Sequence, residues 1–270
     1  MPSPEAISVA QLSKLIGTPD CPVILDLRID EDFDSNPRLI PTSRRVIYQE
    51  IEAIAPSLRG QKVIVACHKG LKISQGAAAI LRSLDVQAEF LQGGVVAWAE
   101  AALLISIPAG IAPSGQIWVT RHRPKIERIA CPWLIRRFID PNAKFLFVEP
   151  SQVEAVADRF NAIPFDIEGG TFSHRGELCS FDVIMQEFGI DYEPLKTLAS
   201  IIRGADTNRH DLAPEAAGLL AISLGISRMF RDDLAQLDAG LLIYDALFRW
   251  ARDAGDEGHD WPTTHSKAKQ

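Results

Sequence analysis

The stretch that most constrains this chain is VIVACHKGLKISQGAAAILRSL, residues 63–84. A β-branched run of this kind reads as a short buried strand, and the alanine-rich text after it reads as a helix. Between them lies a loop, Cys67-His68-Lys69-Gly70-Leu71-Lys72, with Ser74 placed to cap or begin the helix. The backbone amides of that helix start point into the loop, where the positive end of the helix favours an anion. Lys69 and Lys72 add positive charge, as does His68 whenever it is protonated. Such surroundings favour thiolate over thiol. A sulfur nucleophile that accepts a second sulfur needs them, because thiolate and persulfide are both anions. The other reading of Cys67 is a small buried residue that ends a strand, and spacing alone leaves both open.

Strand and helix text alternates around this loop. PVILDLR (22–28), KVIVA (62–66) and AEFLQ (88–92) read as strands, and 8–16, 49–58 and 74–84 as helices. Alternation of this sort implies a small parallel α/β sheet flanked by helices, over 1–104. LLISIPAGIAPSGQ (103–116) is apolar but broken by proline, glycine and serine, with neither charge nor period, so 105–116 reads as a linker. Beyond it QIWVT and AKFLFVE read as strands and 151–160, 180–188, 194–204, 213–226 and 231–253 as helices, which gives a mainly helical α+β domain over 117–254. Residues 255–270 are expected to form a disordered tail. A chain of 270 residues accommodates two such cores.

A net charge of −7 argues against a nucleic-acid or anionic-membrane surface. The N-terminus lacks the basic and apolar regions of a signal peptide, and the apolar stretches are too short or interrupted to span a bilayer. Cys21, Cys67, Cys131 and Cys179 are dispersed with no CxxC pair, as expected of reduced thiols in a cytoplasmic protein.

Two further patches carry chemistry. WVTRHRPKIERIACPWLIRRFIDP (118–141) places Arg121, His122, Arg123 and Lys125 just past a strand, then Arg128, Arg136 and Arg137. Pro132 fits poorly inside a helix, so a turn is expected at 125–130 and a helix from Cys131, with Pro132 at its first position. Were the whole stretch one helix, Arg137 would share the stripe of Ile126, Ile129, Ala130, Trp133 and Leu134 and would need a partner, as a buried ion pair or a ligand arginine. The cluster is either a solvated face with structural ion pairs or an oxyanion site, for which Arg121, His122, Arg123, Arg136 and Arg203 are the candidates. FDIEGGTFSHRGELCSFD (165–182) offers Asp166, Glu168, His174, Glu177, Cys179 and Asp182 as metal ligands without a signature spacing. Asp206 in IIRGADT completes a candidate set Glu168, His174 and Asp206 for a metal ion in the second half. The alternatives are a hydrogen-bonded structural histidine and a glycine C-cap with an Asx turn.

The first hundred residues resemble the rhodanese (sulfurtransferase) domain, in order: VILDLR with Asp26 and Arg28, the six-residue loop from Cys67 to Lys72, and FLQGGVVAW with Gly93, Gly94 and Trp98. The resemblance implies a rhodanese-like sheet in which Cys67 carries a persulfide, the amides of His68, Lys69, Gly70, Leu71 and Lys72 cradle it, and Asp26 and Arg28 support it. Sulfur would pass from a donor to a thiophilic acceptor. Two departures stand out: PRLIPTSRR replaces the usual Gly-His-Ile-Pro segment, and Lys72 replaces an arginine, keeping the charge but losing the bidentate fork.

Residues 116–253 resemble the C-terminal domain family of the chromate-resistance protein ChrB, on RHRPKIERIACPWLIRRFID and GGTFSHRGELCSFDVIMQEFG. That implies a role in chromate resistance, in a family regarded as sensors or regulators of efflux operons. The combined expectation is a sulfurtransferase coupled to a chromate-resistance domain in an oxyanion stress response. The alternative is a chromate or metal sensor whose rhodanese-like half is a docking or redox module. Direct DNA regulation is disfavoured by the acidic balance.

Overall fold

The computed structural model describes residues 5–112 and 114–258. KVIVA becomes β4 (Lys62–Ala66), the middle strand of a five-stranded sheet, with four of its five residues buried. Covered on both faces, it has no side exposed to water, and so its sequence does not alternate. Around it lie β1 (Ala6–Ile7), β2 (Val23–Asp26), β3 (Arg44–Arg45) and β5 (Gln87–Leu91), in the order β1-β5-β4-β2-β3 with every pair parallel. The helices of this half are α1 (Val9–Leu15), α2 (Asp30–Asp34), α3 (Ile51–Leu58), α4 (Lys72–Ser83) and α5 (Gly94–Ala101). Ser8 and Gln11 close a capping box at the start of α1. This half is the parallel sheet flanked by helices that the alternating text implied.

The second half is mainly helical with a small sheet at its start, as expected. Its strands β6 (Ile117–Arg121), β7 (Lys144–Val148) and β8 (Ile163–Pro164) are ordered β7-β6-β8 and all pair in parallel. Its helices are α6 (Glu127–Leu134), α7 (Val153–Phe160), α8 (Ser180–Glu187), α9 (Glu193–Asp206), α10 (Ala216–Met229) and α11 (Asp233–Asp253).

The start of α6 corrects the expectation of a turn at 125–130. The helix begins at Glu127 with Pro132 inside it, then widens into a π-helical turn over Ile135–Ile139, where the Asp140 amide reaches back to the Ile135 carbonyl at 2.7 Å. Proline removes one backbone bond at a cost of about 3 kcal/mol. Burial of Ile129, Ala130, Cys131, Trp133 and Leu134 on this segment outweighs it. Arg137 then needs a partner, and Asp245 of α11 supplies one: Nε to Oδ1 and Nη2 to Oδ2 are both 2.8 Å, and Trp133 Nε1 donates to the same Oδ1. Arg137 thus has its partner in a part-buried ion pair.

One apolar cluster runs through both halves, joining Leu12, Ile16, Leu39, Ile40 and Trp98 to Trp133, Phe138, Phe188 and Phe248. The segment between the halves is tied down at both ends. Ile105 forms an antiparallel bridge with Leu39, the Ser106 amide donates to the Phe188 carbonyl, and the Gln116 amide to Asp140. PRLIPTSRR, which departs from the rhodanese pattern, is part of this seam: Leu39 and Ile40 are buried in it and the Thr42 amide donates to the Phe138 carbonyl at 3.0 Å. Among the described residues no helix is long and apolar enough to cross a membrane. From residue 259 onward the expected tail lies outside the described residues.

Candidate functional site

Cys67 follows the last residue of β4, at the carboxyl edge of the sheet where ligands of parallel α/β folds gather. Its side chain is buried, with Sγ 3.2 Å from the Ser74 hydroxyl. Ser74 therefore does not cap α4; it sits in the first turn with its hydroxyl on the sulfur. Leu71 occupies the N-cap and offers no side-chain acceptor, so the first-turn amides of α4 lack the cap that a serine or aspartate would give. Lys69, Leu71 and Lys72 are exposed, His68 is half-buried and Gly70 buried.

The loop is held from behind by α5. Val95 and Val96 donate their amides to the carbonyls of Cys67 and His68, both at 3.0 Å. So close an approach requires glycine at 94. Its φ is +62°, and a Cβ there would run into the Cys67 carbonyl and the Gly70 nitrogen and lie 2.6 Å from the His68 carbonyl oxygen. Gly94→Ala is expected to cost roughly 2–4 kcal/mol, combining left-handed strain with overpacking. Gly60→Ala, at φ +76° with no atom within 4 Å, isolates the strain alone. Urea denaturation of both variants measures the difference; equal losses would mean that the loop yields to the methyl group.

Asp26 and Arg28 form a pair in which each side chain is 1% exposed. Arg28 Nε lies 3.0 and 2.9 Å from the two carboxylate oxygens, while Nη1 and Nη2 donate to the carbonyls of Asn36 and Arg38. The pair thus ties the end of β2, next to β4, to the segment that leads into the seam.

A second constellation lies in the other half. Ile126 adopts φ +41°, a strained value for a β-branched residue, and the chain turns there into α6 with Glu127 at its first position. The Glu127 side chain is 1% exposed. His174, on the loop before α8, brings Nε2 to 2.7 Å from Glu127 Oε2, 3.5 Å from Asp206 Oδ2 and 3.8 Å from Asp166 Oδ1. His174, Asp206 and Asp166 line a cavity of about 560 Å³, together with Arg121, Lys125, Arg128 and Glu168. Asp166 Oδ2 receives Arg121 at 3.0 Å and Arg128 at 3.3 Å, and the Ser180 hydroxyl donates to Oδ1.

The charges perturb one another strongly. The Glu127 hydrogen bond raises His174 to about 9 against the opposing effect of burial. Burial, then the Glu127 and Asp166 charges, push Asp206 up to about 7. Burial also acts to raise Glu127, but its hydrogen bonds to His174 and Cys179 prevail and its carboxyl stays below the usual range.

The structure unites only part of what the sequence suggested. Of the expected metal set, His174 and Asp206 come together, with Glu127 as the third donor; Glu168 is exposed on the cavity wall. Of the five oxyanion candidates, Arg121 alone lines the cavity. His122 pairs with Glu149, Arg136 with Asp238 while lying over the Phe145 ring, and Arg203 with Asp182. Arg123 donates to the Ser227 and Phe230 carbonyls at the end of α10. Glu177 pairs with Arg209, Asp182 accepts the Cys179 amide, and Cys179 is buried. Glu127 escaped the sequence reading although a signal for it exists. It stands three, four and seven residues before Ala130, Cys131 and Leu134, all fully buried, so a helix through Pro132 puts a lone carboxylate on its apolar face.

Comparison with known proteins follows this division. The rhodanese-like domain model matches residues 8–101, and the model for the C-terminal domain of ChrB matches residues 118–251. Protein ChrB of Cupriavidus metallidurans is 38% identical over 135 residues, which cover 50% of this chain and 40% of that protein, so the chain spans less than half of that curated relative. Among solved structures, a rhodanese-related protein from Thermoplasma volcanium is similar with a TM-score of 0.32 and 24% identity, over 37% of this chain and 96% of that one. A rhodanese-like domain protein from Staphylococcus aureus has a TM-score of 0.30 and 25% identity, over 35% and 90% of the two chains. By these two family models, residues 8–101 of this chain match the rhodanese-like domain family and residues 118–251 the C-terminal domain family of ChrB.

Proposed function

We propose that the chain is a rhodanese-type sulfurtransferase that carries a persulfide on Cys67, working among reduced thiols in the cytoplasm, and that its second domain ties this chemistry to a chromate or oxyanion stress response. The observation that carries the reading is the position of Cys67 Sγ, beside the uncapped first turn of α4 and 3.2 Å from the Ser74 hydroxyl. The thiolate attacks the outer sulfur of a donor such as thiosulfate, and sulfite leaves with the bonding pair. A thiophilic acceptor such as cyanide then takes the terminal sulfur, and the thiolate is restored. The α4 amides and the Ser74 hydroxyl stabilise the anion at both stages. Intact-protein mass spectrometry after incubation with thiosulfate is expected to show a gain of one sulfur atom, lost on adding cyanide as thiocyanate appears. Absence of both the adduct and thiocyanate would overturn the proposal.

A second reading, chromate sensing with the first half as a docking or redox module, is favoured by Arg121, Lys125 and Arg128 sharing one cavity. Isothermal titration with chromate is expected to give heat that disappears in Arg121→Ala; silence in the wild-type protein would exclude it.

A further inference from the structure

We propose that Glu127, His174 and Asp206 hold one divalent first-row transition-metal cation, with open coordination positions facing the cavity. This goes beyond the sulfurtransferase reading and is independent of Cys67. The three donors come from the start of α6, the loop before α8 and the end of α9, and one ligand atom from each lies within 4.8 Å of the others. Bonds of about 2.0–2.2 Å to one cation place cis ligand atoms about 3 Å apart. The Nε2 to Oε2 and Nε2 to Oδ2 separations of 2.7 and 3.5 Å bracket that value.

Charge points the same way. Asp166 pairs with Arg121 and Arg128, and Glu127 and Asp206 both approach the imidazole of His174. With neutral histidine the three carboxylates exceed the two arginines by one negative charge, which favours a cation among them. Glu127 is also oriented for the task, since Oε1 accepts the Phe181 amide at 3.1 Å and Oε2 is turned to the shared point. One imidazole nitrogen with two carboxylates suits Mn²⁺, Fe²⁺ or Zn²⁺ better than a thiol-seeking ion. Three protein donors beside a cavity of about 560 Å³ leave room for water or a small ligand.

The test uses the full chain, stripped with EDTA and titrated with Mn²⁺ while the electron paramagnetic resonance of free Mn²⁺ is followed. The expected result is one bound Mn²⁺ per chain, displaced by Zn²⁺. His174→Ala and Asp206→Asn are each expected to weaken it by roughly a hundredfold. Glu168→Gln, outside the donor set, is expected to bind as the wild type does. Circular dichroism in EDTA checks that the variants fold; should His174→Ala fail to, the more conservative Asp206→Asn still decides. No bound Mn²⁺ in the wild-type chain, or binding unchanged in folded Asp206→Asn, would overturn the proposal and identify the cluster as a structural ion-pair network. Sulfur transfer by Cys67 is unaffected by either outcome, so the two readings fail separately.

Discussion

Cys67→Ser is expected to abolish the sulfur adduct and to reduce thiocyanate formation from thiosulfate and cyanide to background. Serine nearly matches the shape and keeps a polar contact to Ser74, so the loop and the stability of the chain are expected to change little, within about 1 kcal/mol. A hydroxyl, however, is neither ionised near neutral pH nor thiophilic. The other cysteines are not expected to substitute. Burial pushes the thiols of Cys21, Cys131 and Cys179 upward, and for Cys131 and Cys179 the Glu127 charge pushes them further. Each shift disfavours the thiolate, so the label is expected on Cys67 alone. An adduct that persists in Cys67→Ser, located by peptide mapping on another cysteine, would refute the assignment.

Asp26→Ala is expected to carry the largest stability loss in the first half, on the order of 3–5 kcal/mol, because it strands a guanidinium that is 1% exposed. The consequence spreads. Arg28 also holds the carbonyls of Asn36 and Arg38, and Leu39 next to them bridges to Ile105 at the join between the halves. Loss of the carboxylate therefore loosens both the end of β2 and the seam. The double change Asp26→Leu with Arg28→Met, which leaves no buried charge, is expected to recover much of the loss. Urea denaturation of the two variants tests this; a single variant that unfolds at the wild-type midpoint would show that water reaches Arg28.

The sequence and the structure agree best where the information is local. AEFLQ and AKFLFVE lie within a residue of β5 and β7, and KVIVA coincides with β4. They diverge where local preference meets distant packing. Pro132 suggested a helix start, but the buried face it belongs to extends back to Glu127. The very short strands Ala6–Ile7 and Arg44–Arg45 have no periodicity of their own and exist only because a neighbouring strand pairs with them. Arg136 and Arg203 looked like ligand residues because nothing in the sequence shows that Asp238 and Asp182 face them.

By itself the sequence determined the parallel sheet, the cysteine loop with its helix behind it, and the Gly-Gly step into α5, because strand burial, helix starts and glycine turns are settled by residues within a few positions of one another. Only the tertiary structure decided that PRLIPTSRR serves the seam, that Arg137 is neutralised by Asp245, and that Glu127 rather than Glu168 meets His174 and Asp206. Glu127 and His174 are 47 residues apart, and their meeting depends on how α6, α8 and α9 pack, which no local spacing encodes.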